Sequence, residues 1–74
     1  MQVKFTDTAE INGCAVTPNN RNYEVHIDGT LWGWVSGPDK GQPVRGKCWV
    51  ALPVGAPQWS EWSRSREAAV LSAL

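Results

Sequence analysis

The dipeptide Asp28-Gly29 constrains this chain more than any other pair of residues. It stands between two apolar-rich runs. Asp-Gly is among the strongest short hairpin signals, because both central residues of the favoured two-residue turn need positive φ. Before it, Tyr23, Val25 and Ile27 alternate with Glu24, His26 and Asp28; after it, Thr30, Trp32 and Trp34 alternate with Leu31, Gly33 and Val35. A loop at 28–29 pairs Ile27 with Thr30, Val25 with Trp32 and Tyr23 with Trp34. Side chains alternate with period two, so Tyr23, Val25, Ile27, Trp32 and Trp34 are expected on one face. Each aromatic ring can bury roughly 150–250 Å², so this face reads as a core wall.

A third strand is expected over Lys47–Leu52. Either Cys48, Val50 and Leu52 face the core, or Trp49 and Ala51 do. The first arrangement is preferred, because three apolar side chains outweigh two and Trp49 then shares the exposed side with Lys47. Pro53 ends the ladder, having no amide hydrogen to donate. Val54 to Pro57 reads as a turn and 58–62 as a short extended piece. A helix follows over 63–74, capped by Ser63 or Ser65, with Glu67 suiting the positive end of its dipole. Ala68, Leu71 and Leu74, with Val70 beside them, form its apolar stripe. The expected core is therefore Trp32, Trp34, Tyr23 and Val25 against Leu71 and Leu74.

Upstream, Gln2–Thr6 alternates as a short strand, and Asn12-Gly13 is a second turn signal. It suggests a first hairpin, 3–6 or 3–11 with 14–17. Residues 17–22 and 36–46 read as loops, being rich in Pro, Asn and Gly. The expectation is an α+β fold: an antiparallel sheet of three to five strands with one C-terminal helix packed on one face. It forms a single small domain over 1–74, divided into an N-terminal strand, hairpin and loop (1–22), the main sheet (23–52) and the helix (63–74).

Composition narrows the function. The chain has 74 residues, with seven Lys+Arg balancing seven Asp+Glu. A neutral chain lacks the basic field that non-specific nucleic-acid and membrane-surface binders use. No apolar run approaches the ~18 residues a membrane span needs, and the start, MQVKFTDTAEI, lacks the layout of a signal peptide. The expected location is the cytoplasm, with no membrane partner. Cys14 and Cys48 match no metal spacing and read as two small buried apolar residues, a disulfide being the lesser alternative. His26, the one histidine, reads as a solvated strand residue, with no nucleophile beside it. Gly37, Gly41 and Gly46 follow no phosphate-loop spacing. The expectation is a chain with no enzymatic activity, no cofactor and no metal.

The five tryptophans say more. At least three should be core, with Trp49, Trp59 or Trp62 partly exposed. Exposed Trp beside Arg and Lys is a hot-spot composition for protein interfaces and also suits stacking on bases. Arg45, Lys47, Arg64 and Arg66 lie near these tryptophans in sequence. The candidate partner-binding set is Trp49, Lys47, Arg45, His26, Trp62 and Arg64.

GKCWVAL, then Trp59-Ser60-Glu61-Trp62 and Ser65-Arg66-Glu67-Ala68-Ala69, resembles the end of the plant ethylene-response-factor DNA-binding domain and the arm-binding N-terminal domain of tyrosine integrases. It also resembles small uncharacterised phage and mobile-element proteins. The resemblance covers about the last 52 residues. It implies a three-stranded sheet with a C-terminal helix, whose outer face enters the DNA major groove. Carried onto this chain it makes Trp49 and Lys47 contacts. Those domains are basic and follow the Trp strand with charged groups; this chain is neutral and has Leu52-Pro53. The leading expectation is thus a phage or mobile-element protein-interaction module, inhibiting a host system, with double-stranded DNA binding by the outer sheet face as the alternative.

Overall fold

A computed structural model describes all residues from Met1 to Leu74. The chain folds as β1 (Val3–Asp7), β2 (Glu10–Ile11), β3 (Cys14–Ala15), β4 (Asn20–Ile27), β5 (Thr30–Asp39), β6 (Val50–Pro53) and α1 (Arg66–Ala73). A four-stranded antiparallel sheet runs in the order β1-β4-β5-β6, and β2-β3 form a separate two-stranded sheet. The expected α+β architecture is present. Both turn dipeptides act as expected: Asp28 and Gly29 have φ of 50° and 85°, Asn12 and Gly13 of 52° and 81°. The Asn12-Gly13 hairpin joins only Glu10–Ile11 to Cys14–Ala15, however. Val3–Asp7 crosses instead to pair with β4, Phe5 lying opposite Val25. The loops expected at 17–22 and 36–46 are shorter, because β4 begins at Asn20 and β5 runs on to Asp39.

The main departure lies in β5. Ile27 pairs with Thr30 and His26 with Leu31, but Val25 then pairs with Gly33, so Trp32 is an extra residue in its strand. This is a β-bulge, and it inverts the faces of everything after it. Tyr23 now lies opposite Val35, and Glu24 opposite Trp34. Trp34 is therefore not on the Tyr23–Val25 face, as expected, but on the other one. Trp32 remains half-buried against the Val25 core, and its carbonyl accepts the Val54 N–H at 2.8 Å.

The same inversion passes to β6, where Val35 pairs with Ala51 and Trp34 with Leu52. The preferred assignment, with Cys48, Val50 and Leu52 inward and Trp49 outward, is thereby corrected. Trp49 and Ala51 face the helix, and Trp49 is only 6% exposed. Leu52 is buried as well, but on the opposite face.

Two small cores result, one on each side of the sheet. On the helix side Val25, Val35, Trp49 and Ala51 pack with Ala69 and Val70. On the other side Ile11 of the β2–β3 hairpin covers Trp34 and Leu52, with Val16 and Ala56 at the rim. The hairpin is thus a lid over the β5–β6 half of the outer face.

The helix is capped by Ser65, whose side-chain oxygen accepts the Ala68 N–H at 3.0 Å. It buries Ala69 and Val70, with Ala73 packed beside them, and these small residues let it sit close over β5 and β6. Leu71 and Leu74, the expected core partners, are each 63% exposed. They lie off the buried Ala69–Val70–Ala73 stripe. Leu74→Ser is accordingly expected to change unfolding free energy by less than about 0.5 kcal/mol, as exposed substitutions do. Chemical denaturation measures it.

Both cysteines are free. Cys14 is exposed on its hairpin and Cys48 is half-buried, so Cys14 is not the buried apolar residue expected.

Candidate functional site

Three aromatic rings run across the helix face. Phe5 of β1 meets Tyr23 of β4 edge-on, with centroids 6.4 Å apart and planes at 82°. Tyr23 meets Trp49 at 6.2 Å. Trp49 lies beyond β5, so the two rings touch only because β5 carries Gly37 between them. A Cβ at Gly37 would stand 2.6 Å from the Trp49 ring. The missing side chain is what lets Trp49 lie flat on the sheet and reach Tyr23.

One arginine covers these rings and two more lie close by. The Arg66 guanidinium sits 4.3 Å above the Phe5 centroid and 4.9 Å from that of Tyr23, a cation–π arrangement. Its Nε donates to Glu67 Oε2 at 3.2 Å. Arg21 lies at an irregularity in the β4–β5 ladder between Asn20 and Asn22. Its Nη1 donates to the carbonyls of Pro38 (3.3 Å) and Asp39 (3.0 Å), and its Nη2 to that of Lys40 (3.3 Å). Arg21 thereby pins the base of the 40–49 connection to β4. A guanidinium has five N–H donors, so part of its donor set is left for a ligand. Arg64 is exposed and enters neither ion pair of the chain.

Together Arg21, Arg64 and Arg66 line an open cleft of about 410 Å³, with Tyr23, Trp49 and Val44 as its apolar surfaces and Glu67 at its rim. Three arginines and one glutamate line it. A second cleft of about 400 Å³, bordered by Trp59, Glu61 and Ala73, has no cation in its wall. The arginine cleft is therefore the place where this neutral chain concentrates positive charge beside aromatic surface.

The expected site residues divide. Arg64 and Trp49 come together in this cleft, Trp49 as its buried floor and not as an exposed anchor. Arg45 and Lys47 are exposed in the connection that contributes Val44. Trp62 is 63% exposed and outside the cleft. His26 is on the opposite sheet face, paired with Lys4 and Leu31, its Nε2 3.9 Å from Glu24. Sequence reasoning missed Arg21 as a site residue. Its one signal is its place two residues before Tyr23 on a strand. No three of the His, Cys, Asp and Glu side chains are grouped to hold a metal ion. No helix is long and apolar enough to cross a membrane.

Compared with protein-family models, curated proteins and solved structures, the chain matches none.

Proposed function

We propose that this chain is a non-enzymatic binding module that takes an acidic segment of a partner protein into the Arg21–Arg64–Arg66 cleft. The observation that carries the reading is the excess of guanidinium groups over carboxylates around an aromatic floor, in a chain whose net charge is zero. Arginine engages carboxylates through paired, charge-assisted hydrogen bonds. Arginine and aromatic residues are also the side chains that dominate protein interfaces. The resemblance to small phage and mobile-element proteins extends the proposal to a partner in the host cell.

Duplex DNA on the outer sheet face is the second reading. The β2–β3 hairpin occupies the Trp34–Leu52 half of that face. The part left open presents Lys4 and His26 beside Glu24, a weak field for phosphates.

Calorimetric titration with a synthetic Asp/Glu-rich peptide tests the proposal. Arg64→Glu is expected to weaken binding at least about tenfold, equivalent to ~1.4 kcal/mol, without shifting the melting temperature. His26→Ala is expected to leave affinity unchanged. Equal affinity in the Arg64→Glu variant would remove the cleft from the reading. Salt-steep retention of random duplex in a gel shift, relieved by Lys4→Ala, would put DNA on the outer face first.

A further inference from the structure

The two edges of the main sheet are treated differently. At β6 the outer edge is closed by residues 60–63. Trp49 and Ser63 exchange N–H···O bonds of 2.9 and 2.8 Å. Ser60 N–H donates to the Ala51 carbonyl at 2.7 Å, and Ala51 N–H donates to Ser60 Oγ at 2.9 Å. At β1 nothing covers the edge. Asp28 N–H donates to Gln2 O and Thr8 N–H to Asn22 O, so the even-numbered residues here face β4. In an antiparallel ladder the alternate residues turn their N–H and C=O groups the other way. Those of Val3, Phe5 and Asp7 therefore point outward, unpaired. The strand carries neither Pro nor a bulge, the devices that usually blunt an edge, and only one lysine, Lys4.

We propose that β1 pairs antiparallel with β1 of a second copy of this chain, about a twofold axis at Phe5, joining two four-stranded sheets into one. The strand is self-complementary about that point. Val3 falls opposite Asp7 of the second copy and Phe5 opposite its counterpart. Three such pairs, each exchanging two bonds, supply about six hydrogen bonds. On the outer face Lys4 meets Thr6, whereas an axis at Lys4 would oppose two lysines and is disfavoured.

The helix face is complementary too. Arg66 lies above Phe5 and pairs with Glu67, so an axis at Phe5 brings the two Arg66–Glu67 pairs toward each other, with arginine able to face glutamate on both sides. A groove of about 130 Å³ lined by Met1, Val3, Val70 and the exposed Leu71, with Glu67, opens at this same edge.

Sedimentation velocity across micromolar concentrations, with amide hydrogen exchange, tests this. The wild-type chain is expected to dimerise, with the Val3, Phe5 and Asp7 amides gaining protection as concentration rises. Asp7→Pro removes an outward N–H that the monomer does not use, and is expected to weaken the dimer at least tenfold while the circular dichroism spectrum is kept. Thr6→Lys, which places lysines opposite Lys4, is expected to weaken it severalfold. The Lys4→Glu/Thr6→Lys double variant, which pairs opposite charges, is expected to restore it. A wild-type chain monomeric at every concentration overturns the proposal. So does a dimer indifferent to Asp7→Pro, or one for which the double variant is no better than Thr6→Lys.

Discussion

Trp49→Ala is expected to unfold this protein. The ring is 6% exposed, lies on Gly37, touches Tyr23 and belongs to the core that holds Ala69 and Val70 of the helix. Emptying a site of that size costs ~3–5 kcal/mol, made up of lost burial and the cavity left behind. A chain this short rarely has more than ~3–5 kcal/mol in its whole core, so little or none remains. Trp62→Ala is the matched control: that ring is 63% exposed, and its loss should change stability by less than about 0.5 kcal/mol. Urea denaturation followed by circular dichroism distinguishes the two. A Trp49→Ala chain with a near-native midpoint would mean that Trp49 does not face the helix.

The second large effect is expected at Gly33. A Cβ there would overlap the Leu52 carbonyl oxygen and stand 2.7 Å from the Pro53 Cα. Both obstacles are backbone, so no rotamer change relieves them; β5 and β6 must separate. Overpacking commonly costs ~1–3 kcal/mol when side chains can adjust, and Gly33→Ala is expected at or above the upper end. The Val54 N–H to Trp32 carbonyl bond, at the bulge, should loosen with it. Gly41→Ala is the control, since a Cβ at Gly41 meets nothing within 4 Å. Thermal melting of the two variants should differ by many degrees. Equal melting would place the β5–β6 crossing elsewhere.

Gly33 also marks the boundary of what the sequence makes legible. The turns at Asp28-Gly29 and Asn12-Gly13 are readable because their φ angles are a local requirement. The cap is readable to one of two serines, Ser63 or Ser65, each a hydroxyl placed to accept a first-turn amide, and Ser65 takes the role while Ser63 pairs with Trp49. The faces of β5 are not local. Without a bulge, Trp32 and Trp34 share the side of Tyr23; one extra residue at Trp32 moves Trp34 to the opposite core and brings Val35 in. A glycine inside a strand is a bulge signal, and Gly33, between two tryptophans, is that signal. β6 was ambiguous for a different reason. Both of its faces are covered, by the helix and by the β2–β3 hairpin, so comparing apolar counts on its two sides could not decide between them. The pairing of β1 with β4, and not with the nearer Asn12-Gly13 hairpin, is a long-range choice to which alternation within β1 is blind.

The cleft was partly legible. Arg64 and Trp49 stand out as cation and aromatic in one stretch of chain. Arg21 comes from a distant strand and joins them through Tyr23, and the gap at Gly37 that seats Trp49 depends on the β5–β6 register. A helix stripe of Ala69, Val70 and Ala73 is harder to read than one of leucines, because small residues buried by close approach contribute little to a hydrophobic pattern. Leu71 and Leu74 carry the stronger apolar pattern and are exposed.

The measurement that bears most directly on the acidic-segment reading is an amide chemical-shift map of the labelled chain, titrated in parallel with an Asp/Glu-rich peptide and with a random-sequence duplex. The reading predicts that the peptide shifts Arg21, Tyr23 and the 64–67 amides, in fast exchange and more weakly as salt is raised, while Lys4, Thr6, Glu24 and His26 stay unmoved and the duplex shifts neither set. Shifts confined to Lys4, Thr6, Glu24 and His26 with the duplex, or none in the cleft with the peptide, would contradict it.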